Sequence, residues 1–240
     1  MKKVLLFMAF ILGACVVEAK TLIAYYSYTN NVERIINGLR TRIEADVVEI
    51  EPAEKGLDYA ANNYAIGSAQ IAAIRENPEN ADSYPAIDRI DINFDDYDCI
   101  IIGTPLWWSN IAAPMQTFLF QHGAEMSGKN IGLIVSSASS GISGVEADAK
   151  RLIPNGNFMS ESLWIRSSQT SNAAAMLENW LKAIRYDELV AGISAVYDDI
   201  TGYFTVYSLN GTRMQTAENS FDNLPAGIYI INGEKRMISK

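Results

Sequence analysis

Two cysteines, Cys15 and Cys99, and one histidine, His122, are all that the 240 residues offer of those two types. Such a set cannot supply a zinc cluster, a Cys/His dyad network or a disulfide framework, which excludes much soft-metal and histidine-based catalysis. Positive charge is also scarce. Nineteen Lys and Arg against 28 Asp and Glu leave a formal net charge of −9, and no basic run appears beyond Met1-Lys2-Lys3. No phosphate-neutralising surface for nucleic acid is expected. The apolar run from Val4 to Leu12 is shorter than the roughly 20 residues that cross a bilayer as a helix. What the chain does have is material for a packed core: 49% of residues are apolar, 10% aromatic and only 20% charged. That composition is globular, far from that of a disordered chain.

The basic start, the short apolar run and the small residues that follow read as a secretory signal over residues 1–19. Two processing sites compete. Val17-Glu18-Ala19 carries small residues at −3 and −1 for ordinary signal peptidase, while Leu12-Gly13-Ala14-Cys15 looks like a lipobox that would leave Cys15 acylated as a membrane tether. A buried N-terminal strand is the plainer alternative. Either processing route places the protein outside the cytoplasm, in the periplasm or cell envelope, as a lipoprotein or surface-sorted protein where those signals operate. Cys99 then remains as a lone thiol inside a hydrophobic run, the setting of an inert core residue.

From Thr21 onward short apolar runs alternate with helical patterns. Leu22–Tyr26 reads as a strand. Val32–Ile43 reads as a helix with Ile35, Ile36, Leu39 and Ile43 on one face, and Val47–Ile50 as a second strand. Cys99–Ile102, Ile131–Ser136 and Phe158–Ile165 read as three more buried strands. The helical stretches Ala113–Gln121, Gly144–Leu152 and Asn172–Ile184 lie between or after them. Continuous apolar strands joined by helices imply an α/β domain, a doubly wound five-stranded parallel sheet covered on both faces, over residues 20–189. Within the mixed stretch from Gly56, Ala60–Ile74 suits a helix and Glu76–Pro85 a loop. After Leu189 the pattern turns to short alternating strands, Tyr203–Tyr207, Gly227–Ile231 and Arg236–Ile238, with Asn210-Gly211 and Asn232-Gly233 as hairpin signals. Residues 196–240 are expected to form a small β module with a core too small to be stable without support.

Three connections follow strands and carry ligand-type residues. The first, Tyr25-Tyr26-Ser27-Tyr28-Thr29-Asn30-Asn31-Val32, sets hydroxyls and free amides at a helix N-terminus, which favours an anion such as phosphate. The same residue types also serve as ordinary helix caps. The second, Gly103-Thr104-Pro105-Leu106-Trp107-Trp108-Ser109-Asn110, places two tryptophans in a turn beyond a strand. A planar ligand would suit them, although one or both could instead pack beneath the loop. The third, Ser136-Ser137-Ala138-Ser139-Ser140-Gly141-Ile142-Ser143-Gly144, is small and rich in hydrogen-bonding groups. It permits close backbone approach to a ligand edge, or is a plain loop. No residue in the chain stands out as a catalytic acid or base, and His122, late in a helical stretch, is not given that role.

These pieces, with Glu49-Ile50-Glu51-Pro52, Asp95-Asp96-Tyr97-Asp98 and Pro114-Met115-Gln116-Thr117-Phe118-Leu119, resemble the flavodoxins, specifically a bacterial flavodoxin-like group with a Trp-Trp pair. The resemblance runs from about Thr21 to Arg185. It implies a sheet of order 2-1-3-4-5 and non-covalent FMN, lying beyond the carboxyl ends of the strands, a placement for which flavodoxins are themselves the standard example. By position, the resemblance gives Ser27, Thr29, Asn30, Asn31 and the Val32 amide to the phosphate. Thr104, Pro105, Leu106, Trp107 and Trp108 go to one side of the isoalloxazine, and Ser139, Ser140, Gly141 and Ser143 to its other edge. The implied activity is electron transfer, or flavin-dependent reduction of a quinone-like acceptor, with a redox partner protein or a small molecule as counterpart. Where the family's phosphate loop usually has Gly this chain has Asn30, and where it usually ends in Thr it has Val32. A lost hydroxyl to a charged group is worth about 1.5–3 kcal/mol. The alternative function is therefore an envelope binding or structural module that keeps the fold without FMN. The tail, through Val206-Tyr207-Ser208-Leu209-Asn210-Gly211 and Leu224-Pro225-Ala226-Gly227-Ile228-Tyr229-Ile230-Ile231-Asn232-Gly233, resembles the C-terminal sorting modules of Bacteroidetes-type envelope proteins.

Overall fold

The structure is a computed structural model that describes residues 20–190, 206–208, 212–214, 224–225, 227–231 and 234–238. The expected signal segment with Cys15, and the Asn210-Gly211 and Asn232-Gly233 turns, lie outside the described residues. The chain divides into two compact units, Met1–Ala191 and Gly192–Lys240.

In the first unit, strands whose residues are buried on both faces lie in the middle of the sheet. β1 (Thr21–Tyr25) is buried at all five positions. It pairs in parallel with β2 (Asp46–Glu49) on one side and with β3 (Cys99–Trp107) on the other. β3 pairs in turn with β5 (Asn130–Ser137), again in parallel. The sheet thus runs β2-β1-β3-β5 and ends in a fifth strand, the expected 2-1-3-4-5 order. That last strand is not the continuous Phe158–Ile165 run read from the sequence. It is split into β6 (Asn157–Phe158) and β7 (Leu163–Arg166), both paired with β5. Glu161, with φ 70°, turns the chain out of the ladder between them, a geometry that costs a non-glycine residue about 1–2 kcal/mol. The Trp180 indole, donating to the Glu161 carbonyl at 2.7 Å, holds the detour.

Helices cover both faces of the sheet. α1 (Asn31–Arg40) buries Val32, Ile35, Ile36 and Leu39, a spacing that sets all four on one side. α1 shares a core with α5 (Ala173–Ala183) through Leu177 and Trp180. On the opposite face α2 (Ala61–Glu76), α3 (Ala113–His122) and α4 (Ser143–Leu152) bury Ile71, Ile74, Met115, Phe118, Val145 and Leu152. α6 (Tyr186–Val190) closes the unit, and the Tyr186 hydroxyl lies 2.8 Å from the Thr21 hydroxyl. Cys99 sits fully inside, where burial raises its thiol pKa to about 11. Among the described residues no helix is long and apolar enough to cross a membrane, and no group of three His, Cys, Asp or Glu could hold a metal.

The second unit contains an antiparallel sheet in the order β11-β10-β8-β9, built from β8 (Val206–Ser208), β9 (Arg213–Met214), β10 (Gly227–Ile231) and β11 (Glu234–Ile238). Val206, Leu224 and Tyr229 form its buried cluster.

Candidate functional site

Beyond the carboxyl ends of β1, β3 and β5 lies a cleft of about 340 Å³, at the lower end of the roughly 300–1,000 Å³ usual for small-molecule sites. One end is the start of α1. First-turn helix amides have no intrahelical partner. Here the Glu33 amide is satisfied by Ser27 Oγ at 3.2 Å, which leaves those of Asn31 and Val32 for a ligand. Ser27, Thr29, Asn31 and Val32 all line the cleft. Asn30 does not. It is exposed at the N-cap with φ 59° and ψ 7° and no side-chain cap bond, so its part is to supply the left-handed turn that aims α1. Val32 is 1% exposed, and its methyl would lie 3.1 Å from any Cβ added at Gly103. Its Cγ1 therefore packs in the core between α1 and β3, while the residue also borders the cleft.

The other end is aromatic. β3 continues to Trp107, so Pro105, Leu106 and Trp107 belong to a strand rather than to the expected turn. The turn is only Trp108-Ser109, after which β4 (Asn110–Ile111) runs back antiparallel on β3. Both turn residues have positive φ, 47° and 66°. A two-residue hairpin of this hand normally takes Asn-Gly because each central residue is left-handed. Neither Trp nor Ser relieves that strain, so contacts around the turn must hold it. From α2, Arg75 donates to the Trp108 carbonyl and, at 2.7 Å, to Asn110 Oδ1. Trp107 is packed among Tyr59 (ring centroids 4.8 Å), Tyr26 (5.7 Å, edge-on) and Trp108 (6.3 Å, edge-on). Trp108 stays 41% exposed at the rim. Both indoles lie over Gly67 of α2, where an added Cβ would come within 3.1 Å of Trp108 and 3.3 Å of Trp107.

Several expected residues fall elsewhere. Thr104 is fully buried; its hydroxyl donates to the Pro105 carbonyl at 3.0 Å and accepts from the Ala112 amide at 3.4 Å, bracing the approach to α3. β5 extends to Ser137, so Ser136, Ser137 and Ala138 meet the cleft. Ser139, Ser140, Gly141 and Ser143 are exposed and do not line it. Ser137 Oγ, donating to the Ser140 carbonyl at 3.0 Å, turns that segment toward α4.

Sequence reasoning missed Tyr59, Tyr64 and Gly67, together with Ser167 after β7, and gave Tyr28 of the first connection no role of its own. Tyr59 and Tyr64 stand in the mixed stretch after Gly56, and two tyrosines among Asn, Ala and Gly were the available signal. Tyr64 ends a left-handed turn, Asn62–Tyr64, inside α2. Burial raises the pKa of the Tyr59 hydroxyl, with the nearby Gln70 side chain acting in the opposite direction; neither that hydroxyl nor Gln70 Oε1 has a partner at hydrogen-bond distance. Burial, reinforced by Tyr59 and Tyr28, pushes Tyr26 far above its ordinary value as well. These phenols stay neutral. His122 is spent elsewhere, with Nδ1 2.8 Å from Glu125 Oε1 and its ring against Phe94 and Phe118.

The residues lining the cleft include no Asp, Glu, Lys, Arg or His. The arrangement can grip a flat ring and an anionic tail through amides and hydroxyls, but has no group suited to general acid–base work at neutral pH.

A family model described as flavodoxin matches residues 20–184. Among solved structures, a Bacteroides eggerthii protein described as a flavoprotein is 25% identical over 70% of this chain and 98% of its own, with a TM-score of 0.56. A Bacteroides uniformis counterpart is 24% identical over 69% of this chain and 99% of its own, at 0.53. A flavoprotein in complex with FMN from Lactobacillus acidophilus is 22% identical over 65% of this chain and 99% of its own, at 0.51.

Proposed function

The chain belongs to the flavodoxin family, and from that premise we propose that it binds FMN non-covalently in this cleft and acts in electron transfer or in flavin-dependent reduction of a quinone-like acceptor. The observation that carries the reading is a single cleft with unpaired helix amides at one end and an aromatic wall at the other. The residues present fit the group. The open first-turn amides of α1 suit a phosphate. Gly67, whose missing Cβ leaves room for both indoles, and the unpartnered Tyr59 hydroxyl suit a ring with polar edges. Bound flavin supplies one- and two-electron redox chemistry. The protein's part is to orient the ring between Trp107, Tyr59 and the Ser136–Ala138 backbone and to exclude water from one side. With no cation in the lining and a formal charge of −9, the chain also disfavours added negative charge on the ring. It thereby lowers the potential by about 59 mV for each 1.4 kcal/mol in a one-electron step.

We place the protein outside the cytoplasm on the strength of the residue 1–19 signal pattern, tethered to a membrane if Cys15 is acylated. We assign the C-terminal sheet to sorting on its sequence resemblance. A redox partner protein or a small-molecule acceptor completes the reading.

The test is a fluorescence titration of the purified chain with FMN and with riboflavin, which lacks the phosphate. FMN is expected to bind at least tenfold more tightly, and added salt is expected not to weaken it, because no lysine or arginine lines the cleft. Failure to bind FMN would overturn the proposal in favour of a module that keeps the fold alone.

A further inference from the structure

α4 buries Val145, Asp148, Ala149 and Leu152, the spacing of one apolar stripe. A carboxylate in that stripe is out of place unless fully bonded. Asp148 is 8% exposed, and its bonds go mainly to one place. Oδ2 accepts from the Asn110 side-chain amide at 2.8 Å and from the Ile111 backbone amide at 3.0 Å. Both donors belong to β4, the return strand of the tryptophan hairpin. Oδ1 faces Arg151 at 3.4 Å, and Arg151 in turn reaches Gln116 and Tyr84. Gln116 donates back to the Ile111 carbonyl at 2.8 Å. On the far side of the hairpin, Asn110 accepts from Arg75. Asn110 is thus gripped from α4 and α2 together, two residues beyond a left-handed tryptophan. Asp148 itself does not line the cleft.

We propose that Asp148 is a positioning residue that holds the strained Trp108-Ser109 turn in register, and so sets the aromatic wall against which the ring packs. The affinity part of this inference rests on the FMN reading; the geometric part does not. A hairpin with Asn-Gly in the turn would hold this shape by local preference. With Trp-Ser the shape depends on the clamp, and a side chain buried in another helix controls the ligand wall without touching it.

The experiment compares the wild-type chain with Asp148→Ala, Asp148→Asn and Arg75→Gln, the last being a solvent-exposed position that spares the core. FMN affinity, near-ultraviolet circular dichroism of the FMN-free protein and urea unfolding are measured on each. Asp148→Ala is expected to weaken FMN at least tenfold and to change the tryptophan dichroism. Asp148→Asn, which keeps one acceptor oxygen, is expected to restore part of both, and Arg75→Gln to produce a smaller change of the same kind. If Asp148→Ala does not fold, the other two variants carry the comparison. Variants that lose stability alone, with wild-type affinity in the folded fraction and unchanged dichroism, would overturn the proposal. If even the wild-type chain binds no FMN, the functional reading fails, while the dichroism of the FMN-free variants still decides whether Asp148 holds the hairpin.

Discussion

Gly144 offers a direct measure of how tightly α4 is pressed on the tryptophan turn. A Cβ built there would lie 2.0 Å from the Ser109 carbonyl oxygen and 3.1 Å from its carbon. An ordinary carbon–oxygen contact is about 3.3 Å, so Gly144→Ala forces the hairpin and α4 apart by roughly 1.3 Å. The obstacle is backbone, which cannot rotate aside as a side chain could. Overpacking of this kind costs about 1–3 kcal/mol. The better helix propensity of alanine returns up to about 1 kcal/mol, and less in a first turn. The net loss is therefore about 1–2 kcal/mol. With a urea m-value of about 2 kcal/mol/M, the midpoint should fall by about 0.5–1 M. All four tryptophans, at 107, 108, 164 and 180, lie in the first unit, so their fluorescence reports that unit alone. FMN affinity should drop at least tenfold because the displaced element carries the ring wall. Gly141→Ala is the control: nothing lies within 4 Å of its added Cβ, and its midpoint should match wild type. A Gly144→Ala midpoint within about 0.2 M of wild type, with FMN affinity intact, would show that the close approach does not exist.

Val32→Thr puts a hydroxyl at a 1% exposed position and should lower the urea midpoint while tightening FMN about tenfold; an unchanged dissociation constant would show that the position does not reach the phosphate. Tyr59→Phe removes a buried hydroxyl that has no partner and should leave stability equal or higher; a loss of more than about 0.5 kcal/mol would mean that the hydroxyl is bonded. Cys99 makes stability depend on alkali. Below about pH 9 its thiol is protonated in both states, whereas above that the unfolded chain loses the proton and the folded chain keeps it to about pH 11. Stability should therefore fall across that window by up to about 3 kcal/mol from this group, with Tyr25 and Tyr26, also pushed up by burial, adding to the slope. Urea midpoints at pH 8.5 and 10.5 should differ less in Cys99→Ala than in wild type; equal differences would dismiss the thiol's part.

The strands and the face of α1 were legible because burial on both sides of a sheet demands uninterrupted apolar runs, and a covering helix demands Ile35, Ile36 and Leu39 at helical spacing; the order of the strands came only from the resemblance to flavodoxins. The α1 end of the cleft was legible for the same local reason: Ser27, Thr29 and Asn31 stand at the start of a helix, and their place follows from the backbone next to them. The aromatic end was only half legible. That Trp107 and Trp108 meet at the rim of the cleft could be read, but not that one closes a strand and the other forms a strained turn. That outcome is decided by Arg75 and Asp148, 33 and 40 residues away from Trp108 along the chain. Gly67 escaped notice because its relevance arises from α2 packing against the hairpin, and Tyr59 because its ring meets Trp107 only in the folded chain. Ser139, Ser140 and Gly141 were misplaced because β5 runs to Ser137 and carries the rim with it.

The amino-acid sequence alone determined the alternation of strands and helices, the edge of the sheet where the cleft lies and the helix start that borders it. Each of these follows from the hydrophobic period and from chain direction, which are local properties. Tertiary structure alone decided which side chains line the cleft and what holds the tryptophan turn. Those depend on close approaches between distant segments, at Gly67, Gly144 and Asp148, and no local preference encodes a distance across the fold.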